Sequence, residues 1–341
     1  MGELPFALAP EAALGAWLRE AEREMEPHRT AGTYRGFDGT ELPWQAVHAD
    51  RPRAHVVLLH GFTEFPEKYR ELCRYLRQAG CTVWLPVLRG HGQGGIVHVD
   101  RFEDYVRDIA CFLRDIVPER PLLFGHSMGG GVAARLLQEL PDCAARAVLC
   151  SPMLCPQTGR APHWLALGCA RALLRRGERE KSPLFSGAYD PNAEFSCSGC
   201  TSRARFRAAM DCRAECPAYQ TMGASNRWVY ESLALRSRVL SPRACRRVQV
   251  PVLVCSAGRD TQVACPSVFC RSCRSVLHAP FWARPCAVRM RAARLPQGRL
   301  LEFPEEKHEL YNAGNAGLAA FLCAVLEFFG LTAGYGKEET K

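Results

Sequence analysis

The chain has 341 residues, 48% of them hydrophobic, and a formal net charge of +9. That is enough apolar mass for one large core or two ordinary ones, while no run of about eighteen apolar residues is present to span a bilayer. The positive balance comes without a nucleic-acid-binding motif, so it reads as an arginine-rich solvated surface and no nucleic-acid partner is expected.

The N-terminal stretch MGELPFALAPEAALGAWLREAEREMEPHR lacks the basic leader of a signal peptide, and a cytoplasmic protein is expected. Of the eighteen cysteines, most sit singly in apolar contexts, Cys73, Cys81, Cys111, Cys150, Cys255 and Cys323 among them, where a thiol is a small hydrophobe. Cys197-x-x-Cys200 and Cys270-x-x-Cys273 have ligand-like spacing but lie too far apart in sequence for the usual zinc module. Neither a metal nor a cofactor is expected.

In chain order, TYRGFDGTELPWQAVHAD (33–50) puts Asp-Gly between two extended runs, a hairpin signal. RAHVVLLHG (53–61) is a short apolar, β-branched run ending in glycine, as a buried parallel strand requires. EKYRELCRYLRQAG (67–80) shows helical spacing through Tyr69, Leu72, Tyr75 and Leu76 and closes at Gly80. CTVWLPV (81–87) predicts a strand and RFEDYVRDIACFLRDIV (101–117) an amphipathic helix. PLLFG (121–125) and ARAVLCS (145–151) are strands flanking the helix GGGVAARLLQEL (129–140). After a mainly helical middle, VPVLVCSAG (250–258), GRLLEFP (298–304) and the helix GLAAFLCAVLEFFG (317–330) resume the alternation. Strand, helix, strand repeated in this way means an α/β fold, a mostly parallel sheet covered by helices on both faces.

Within that frame, Gly125-His126-Ser127-Met128-Gly129 fits G-x-S-x-G. The pattern alone says little, but here it falls where a buried strand turns directly into a helix, the position of a nucleophile elbow. Glycines at 125 and 129 would remove side chains that clash in so tight a turn, and the helix N-terminus favours developing negative charge. A serine hydroxyl needs a base, and the base an orienting acid. In this architecture they follow in the order Ser, acid, His. Asp260, in GRDTQV, and His308, after GRLLEFPEEK, both follow strands and can reach the top of the sheet. Asp190 and Glu309 are the alternative acids.

Other histidines have less support. His126 is expected to point away from the elbow and His60 to shape a loop. His91, His98 and His278 lie in loops, and His28, His48, His55 and His163 lack context. Oxyanion donors are expected from the backbone N–H of Met128, next to the serine, and of Phe62, in the loop after VVLLHG.

The ordered signatures HGFTEFPEKYRELCRYL, LRGHGQGG, GHSMGGG, SAGRDTQV and KHELY resemble those of the monoacylglycerol-lipase-like α/β-hydrolases. The middle, CTSRARFRAAMDCRAECPAYQTMGASNRWVYESL, resembles more narrowly their bacterial lysophospholipase branch. The resemblance implies a serine hydrolase of monoacyl lipids with Ser127, Asp260 and His308 in the triad positions. Two departures stand out. Leu88 and Gly94 replace a polar residue and a serine found in many relatives, and 265–293 forms a long Cys- and Arg-rich stretch after Asp260.

Residues 152–240 read as an inserted lid on a core of 1–151 and 241–341. Its segment HWLALGCARALLRRGEREK (163–181) is apolar first and basic afterwards. It suits either an anionic membrane surface, with Trp164 and Leu165 dipping in, or a lid helix packed on the enzyme. One or two of Arg171, Arg175, Arg176, Arg203, Arg205 and Arg207 are expected to pair with a lysophospholipid phosphate. The alternatives are a monoacylglycerol lipase, a small-ester esterase or peptidase, and a non-catalytic binding protein of hydrolase fold. No obligate protein partner is inferred.

Overall fold

The computed structural model describes residues 4–158, 161–181, 189–262 and 295–332. The Cys- and Arg-rich stretch 265–293, with its Cys270/Cys273 pair and His278, lies outside them. Helix α1 (Leu14–Met25) leads into strands β1 (Arg29–Arg35), β2 (Glu41–Val47) and β3 (Ala54–Leu59). Helix α2 (Arg70–Gln78), strands β4 (Cys81–Pro86) and β5 (Gly95–Val97) and helix α3 (Phe102–Asp115) follow. Strand β6 (Leu122–His126) runs straight into helix α4 (Met128–Glu139), and β7 (Arg146–Cys150) comes after it. The middle of the chain holds α5 (His163–Arg175), α6 (Arg203–Glu215), β8 (Thr221–Ala224), α7 (Asn226–Val239) and α8 (Pro242–Arg246). Strands β9 (Val252–Ala257) and β10 (Gly298–Phe303) and a closing helix, Asn315–Phe329, complete the described chain.

The main sheet runs β1-β2-β4-β3-β6-β7-β9-β10. The β1–β2 and β2–β4 pairings are antiparallel and all later ones parallel. The Asp-Gly signal was correctly placed: Gly39 sits at φ +85° and the Gly36 N–H closes the turn on Thr40 O at 2.8 Å. Because successive residues of a strand face opposite sides, Leu123, Leu149 and Val254 pack against α3, α4 and α7. Leu122, Phe124, Val148 and Cys255 pack against α2 and the closing helix. A sheet apolar on both faces explains why β6, β7 and β9 read as continuous hydrophobic runs.

Three elements were not predicted, the short helix α8 among them. Helix α1 buries Leu14, Leu18, Ala21 and Met25, a helical stripe masked by the charged residues between them. Another is a two-stranded parallel pairing of β5 with β8, too short and too glycine-rich for strand alternation to show. Gly94, one of the departures noted above, has φ +69° and donates its N–H to Ala218 O at 2.9 Å, beside that small sheet. Among the described residues, no helix is long and apolar enough to cross a membrane.

Helix α4 approaches the sheet so closely that glycine is obligatory at its start. A Cβ on Gly129 would lie 2.1 Å from Leu59 O, and one on Gly125 2.6 Å from Gly129 O, both rigid main chain. Helix α5 is the opposite case. Of its residues only Ala170 is buried, and a Cβ on Gly168 would meet nothing within 4 Å. Thermal unfolding of two variants checks this contrast. Gly129→Ala should destabilise the protein by at least about 1–3 kcal/mol through overpacking, whereas Gly168→Ala should raise stability by up to about 1 kcal/mol.

Candidate active site

Ser127 stands between β6 and α4 at φ 49°, ψ −115°, a conformation non-glycine residues adopt rarely and at a cost of about 1–3 kcal/mol. Neighbouring backbone holds it there. Its N–H donates to Cys150 O at 3.0 Å, and its carbonyl accepts from Gly131 N at 3.1 Å and Met153 N at 2.7 Å. Met128 is the first residue of α4, so its N–H belongs to the first turn, where no helical carbonyl reaches.

His308 follows β10 and Asp260 follows β9, two parallel neighbours whose carboxyl ends lie side by side. That adjacency brings His308 Nδ1 within 2.7 Å of Asp260 Oδ2, with both side chains almost fully buried. Asp260 Oδ1 accepts the Gln262 N–H at 2.8 Å, which fixes the carboxylate. The other imidazole nitrogen, Nε2, is buried and finds no hydrogen-bond partner among the described residues.

Ser127, His308 and Phe62 line one cavity of about 260 Å³. No hydrogen bond joins Ser127 to His308 Nε2; such contacts commonly tighten only once substrate is engaged. The Phe62 ring lies 4.2 Å from that of Trp228, and the next residue, Thr63, is held at φ +57°. On the far wall, residues flanking His308 clamp the 196–199 loop. Glu309 N donates to Gly199 O at 2.6 Å, and Lys307 Nζ donates to Ser196 O and Ser198 O at 3.2 and 3.1 Å.

A buried ionic cluster underlies this cavity. Glu64 Oε2 accepts the Gly61 N–H at 2.6 Å and the Tyr69 hydroxyl, and lies 3.0 Å from His126 Nδ1. Its Oε1 accepts the Tyr311 hydroxyl at 2.7 Å and Lys68 Nζ at 2.6 Å, and Lys68 also reaches Glu309 at 2.8 Å. Burial opposes ionisation of Glu64, but the Lys68 ammonium and His126 outweigh it and hold the carboxyl well below the usual range. Glu309 is lowered likewise, burial and Glu64 being outweighed by Lys68. Burial would discharge Lys68, yet the two carboxylates raise its pKa.

Of the predicted residues, Ser127, His308 and Phe62 reach the cavity, Asp260 backs His308, and Met128 opens the helix beneath. Glu309 is engaged by Lys68, and Asp190 is exposed and bonded to Asn192 N of its own turn, so neither competes with Asp260. His60 ties loops as expected, accepting the Leu88 N–H at 3.0 Å. His126 does not turn away: it lines the same cavity, its ring 4.9 Å from that of His308, because Glu64 and Tyr69 hold Nδ1. His91 is kept neutral by burial and by nearby His60, its pKa pushed down to about 3.

One arginine of the expected phosphate set is excluded. Arg205 is buried, bonded to Glu71 at 2.7 and 2.9 Å and to Glu11 at 3.3 Å, so its charge is spent on holding α6 to α2. Arg171, Arg175, Arg176, Arg203 and Arg207 are exposed. The arginine that does line the cavity, Arg213, was missed. Its signal was the α6 stripe Phe206, Ala209, Met210, Arg213 at helical spacing, all four on the cavity wall.

The class of protein is defined by these features: a strand–serine–helix elbow, and a histidine and carboxylate from adjacent strand ends of a mostly parallel eight-stranded sheet, make an α/β-hydrolase. A model of the Hydrolase_4 family, described as serine aminopeptidase S33, matches residues 50–272, and the chain belongs to that family. Lysophospholipase L2 of Escherichia coli is 28% identical over 338 residues, covering 94% of this chain and 93% of its own. The human monoglyceride lipase is 34% identical over a shorter span, 30% of this chain and 36% of its own. Among solved structures, the Paleococcus ferrophilus monoacylglycerol lipase superposes with a TM-score of 0.62 at 21% identity, covering 86% of this chain and 100% of its own. A Bacillus coagulans carboxyl esterase gives 0.65 at 16% identity, covering 89% and 98%. At these identities the two structures speak for the fold alone.

The ionic cluster yields a pH-dependent expectation. In the wild type, Glu64 and Glu309 titrate below the unfolded carboxylate value of about 4.3. Their stabilisation is therefore present above that pH and lost as pH falls through the lower folded values. Lys68→Met removes the ammonium that two buried carboxylates share and leaves only His126 beside Glu64, at a cost of about 3–5 kcal/mol. At least one of their pKa values must then rise above the unfolded value. Unfolding measured from pH 4 to 8 should show the variant's deficit largest near neutrality and shrinking on acidification; a deficit independent of pH would contradict the assignment.

Proposed function

We propose that the protein is a carboxylic ester hydrolase that releases the fatty acid of a lysophospholipid through an acyl-enzyme. Ser127 acts as nucleophile, His308 as base and Asp260 as its orienter. The observation that carries this reading is the His308–Asp260 bond of 2.7 Å, which leaves Nε2 for the cavity that Ser127 also lines. Asp260 fixes the tautomer in which Nδ1 keeps the proton, so Nε2 can accept the serine proton and later return it to the departing glycerol oxygen. The N–H groups of Phe62 and Met128 stabilise the oxyanion, aided by the α4 N-terminus.

Residues 152–240 act as a lid in this reading. An apolar cavity of about 690 Å³ between α5 and α7, lined in part by Leu173, Trp228, Val229 and Leu233, gives room for an acyl chain. Trp228 lines this cavity and packs at a tilt against Phe62, which lines the cavity of Ser127, so the two spaces adjoin through that ring pair. Each methylene buried there contributes about 0.8 kcal/mol to binding. Lysophospholipase L2, related over nearly the whole chain, supports the phospholipid head group. The family's aminopeptidase description favours a peptide instead, but Glu64 and Glu309 are both committed to Lys68 and neither is set to receive a substrate ammonium.

The lid's α5 carries Trp164 and Leu165 exposed at 73% and 43%, with exposed Arg171, Arg175 and Arg176 along the same helix. This pattern supports peripheral docking on an anionic bilayer.

Steady-state kinetics on lysophosphatidylethanolamine test the mechanism. Ser127→Ala and His308→Ala should each lower kcat/KM by several orders of magnitude with the fold intact, and Asp260→Asn by less than either. Wild-type turnover in Ser127→Ala would remove it from the mechanism. For docking, sedimentation with phosphatidylglycerol vesicles should recover the wild type at low salt and less of Trp164→Ala. Added salt should release the protein, since surface attraction decays within about 8 Å at physiological ionic strength. Equal recovery of both proteins at every salt concentration would refute it.

A further inference from the structure

The cavity that Ser127 lines holds two cations of very different standing. Lys68 is bracketed by Glu64 and Glu309 and has no charge to offer a ligand. Arg213, on the last turn of α6, forms no ion pair with any carboxylate among the described residues, although its side chain is partly buried.

Two contacts fix where its guanidinium sits. Nη2 donates to the Thr63 carbonyl at 2.6 Å, and the guanidinium carbon lies 5.6 Å from the centre of the Phe65 ring. Phe65 is itself stacked on Tyr219, ring centres 4.2 Å apart and planes within 2°, so the platform beneath the guanidinium is rigid. The Gln220 side chain also grips the Arg213 carbonyl at 3.3 Å. A guanidinium has five N–H donors in a fixed fork, and one contact to Thr63 leaves most of them for an anion. Thr63 adjoins Phe62, whose N–H we assign to the oxyanion site, so the fork stands beside the place where the ester reacts.

We infer that Arg213 is the residue that selects the head group, its guanidinium pairing with the phosphodiester anion of a lysophospholipid held at Ser127. This rests on the ester-hydrolase reading above and names its specificity determinant. Glycerol sets the phosphorus only a few bonds from the scissile ester oxygen, within the same cavity. A planar fork suits two phosphate oxygens at once, and a neutral monoacylglycerol offers it nothing comparable. The exposed arginines of α5 stand outside this cavity lining and would act on a membrane surface as a whole.

The test compares kcat/KM for lysophosphatidylethanolamine and for monoacylglycerol of equal chain length, both below their critical micelle concentrations, in wild type, Arg213→Gln and Arg213→Lys. The ratio of phospholipid to neutral lipid should fall about ten- to a hundredfold in Arg213→Gln, as expected for the loss of a charge-assisted hydrogen-bonded pair. Arg213→Lys should recover part of it. If both substrates decline by the same factor, Arg213 only braces Thr63 and the inference is overturned. An unchanged ratio with undiminished rates overturns it equally. A wild type that turns over neither lipid would instead bring down the ester-hydrolase reading itself, a result the ratio cannot mimic.

Discussion

The approach of α4 to the sheet is the constraint on which the candidate site depends. Four glycines, at 125, 129, 130 and 131, let the helix start press against β3, β6 and the chain after β7. A Cβ at any of them would fall within 3.0 Å of backbone or of Pro152. Three of these glycines lie inside the helix, where each costs about 1 kcal/mol in propensity relative to alanine. Only extensive burial offsets such a start, and α4 is buried along nearly its whole length. What the close approach gives in return is Ser127 at φ 49°, its side chain directed by backbone that has no room to relax.

The Glu64 carboxylate ties that elbow to its surroundings. It takes a hydrogen bond from Gly61 of the loop bearing Phe62, lies against His126, which precedes Ser127, and accepts from Tyr311, three residues beyond His308. Three chain segments that the proposed mechanism needs in register thus share one buried anion. A carboxylate so placed needs compensation, and Lys68 supplies it while tethering Glu309, the neighbour of His308. The cluster makes no contact with a reacting atom in the proposed mechanism. It supplies rigidity, which a site relying on fixed dipoles requires.

Much of this was legible beforehand because it depends on local order. The G-x-S-x-G turn, the continuous apolar strands and the positions of Asp260 and His308 after strands are properties of short segments. Long-range pairing was not legible. Nothing in the neighbourhood of Arg205 announces Glu71, 134 residues away, so an arginine counted as free for a ligand turned out to be structural. His126 was misplaced for the same reason, its Glu64 partner lying 62 residues earlier. Arg213 was the reverse case. Its helical stripe was visible, but which face of α6 meets Ser127 depends on tertiary packing. Helix α1 had a clear period of buried positions and was passed over because its charged residues dominate the composition.

The central claim is that Ser127 is a nucleophile activated by His308, and covalent labelling reaches it without any assumption about substrate. Purified protein treated with a fluorophosphonate and analysed by intact mass and peptide mapping should carry a single adduct, on Ser127, and Ser127→Ala should carry none. Absence of an adduct on the wild-type protein, or one mapped to another residue, would contradict the account.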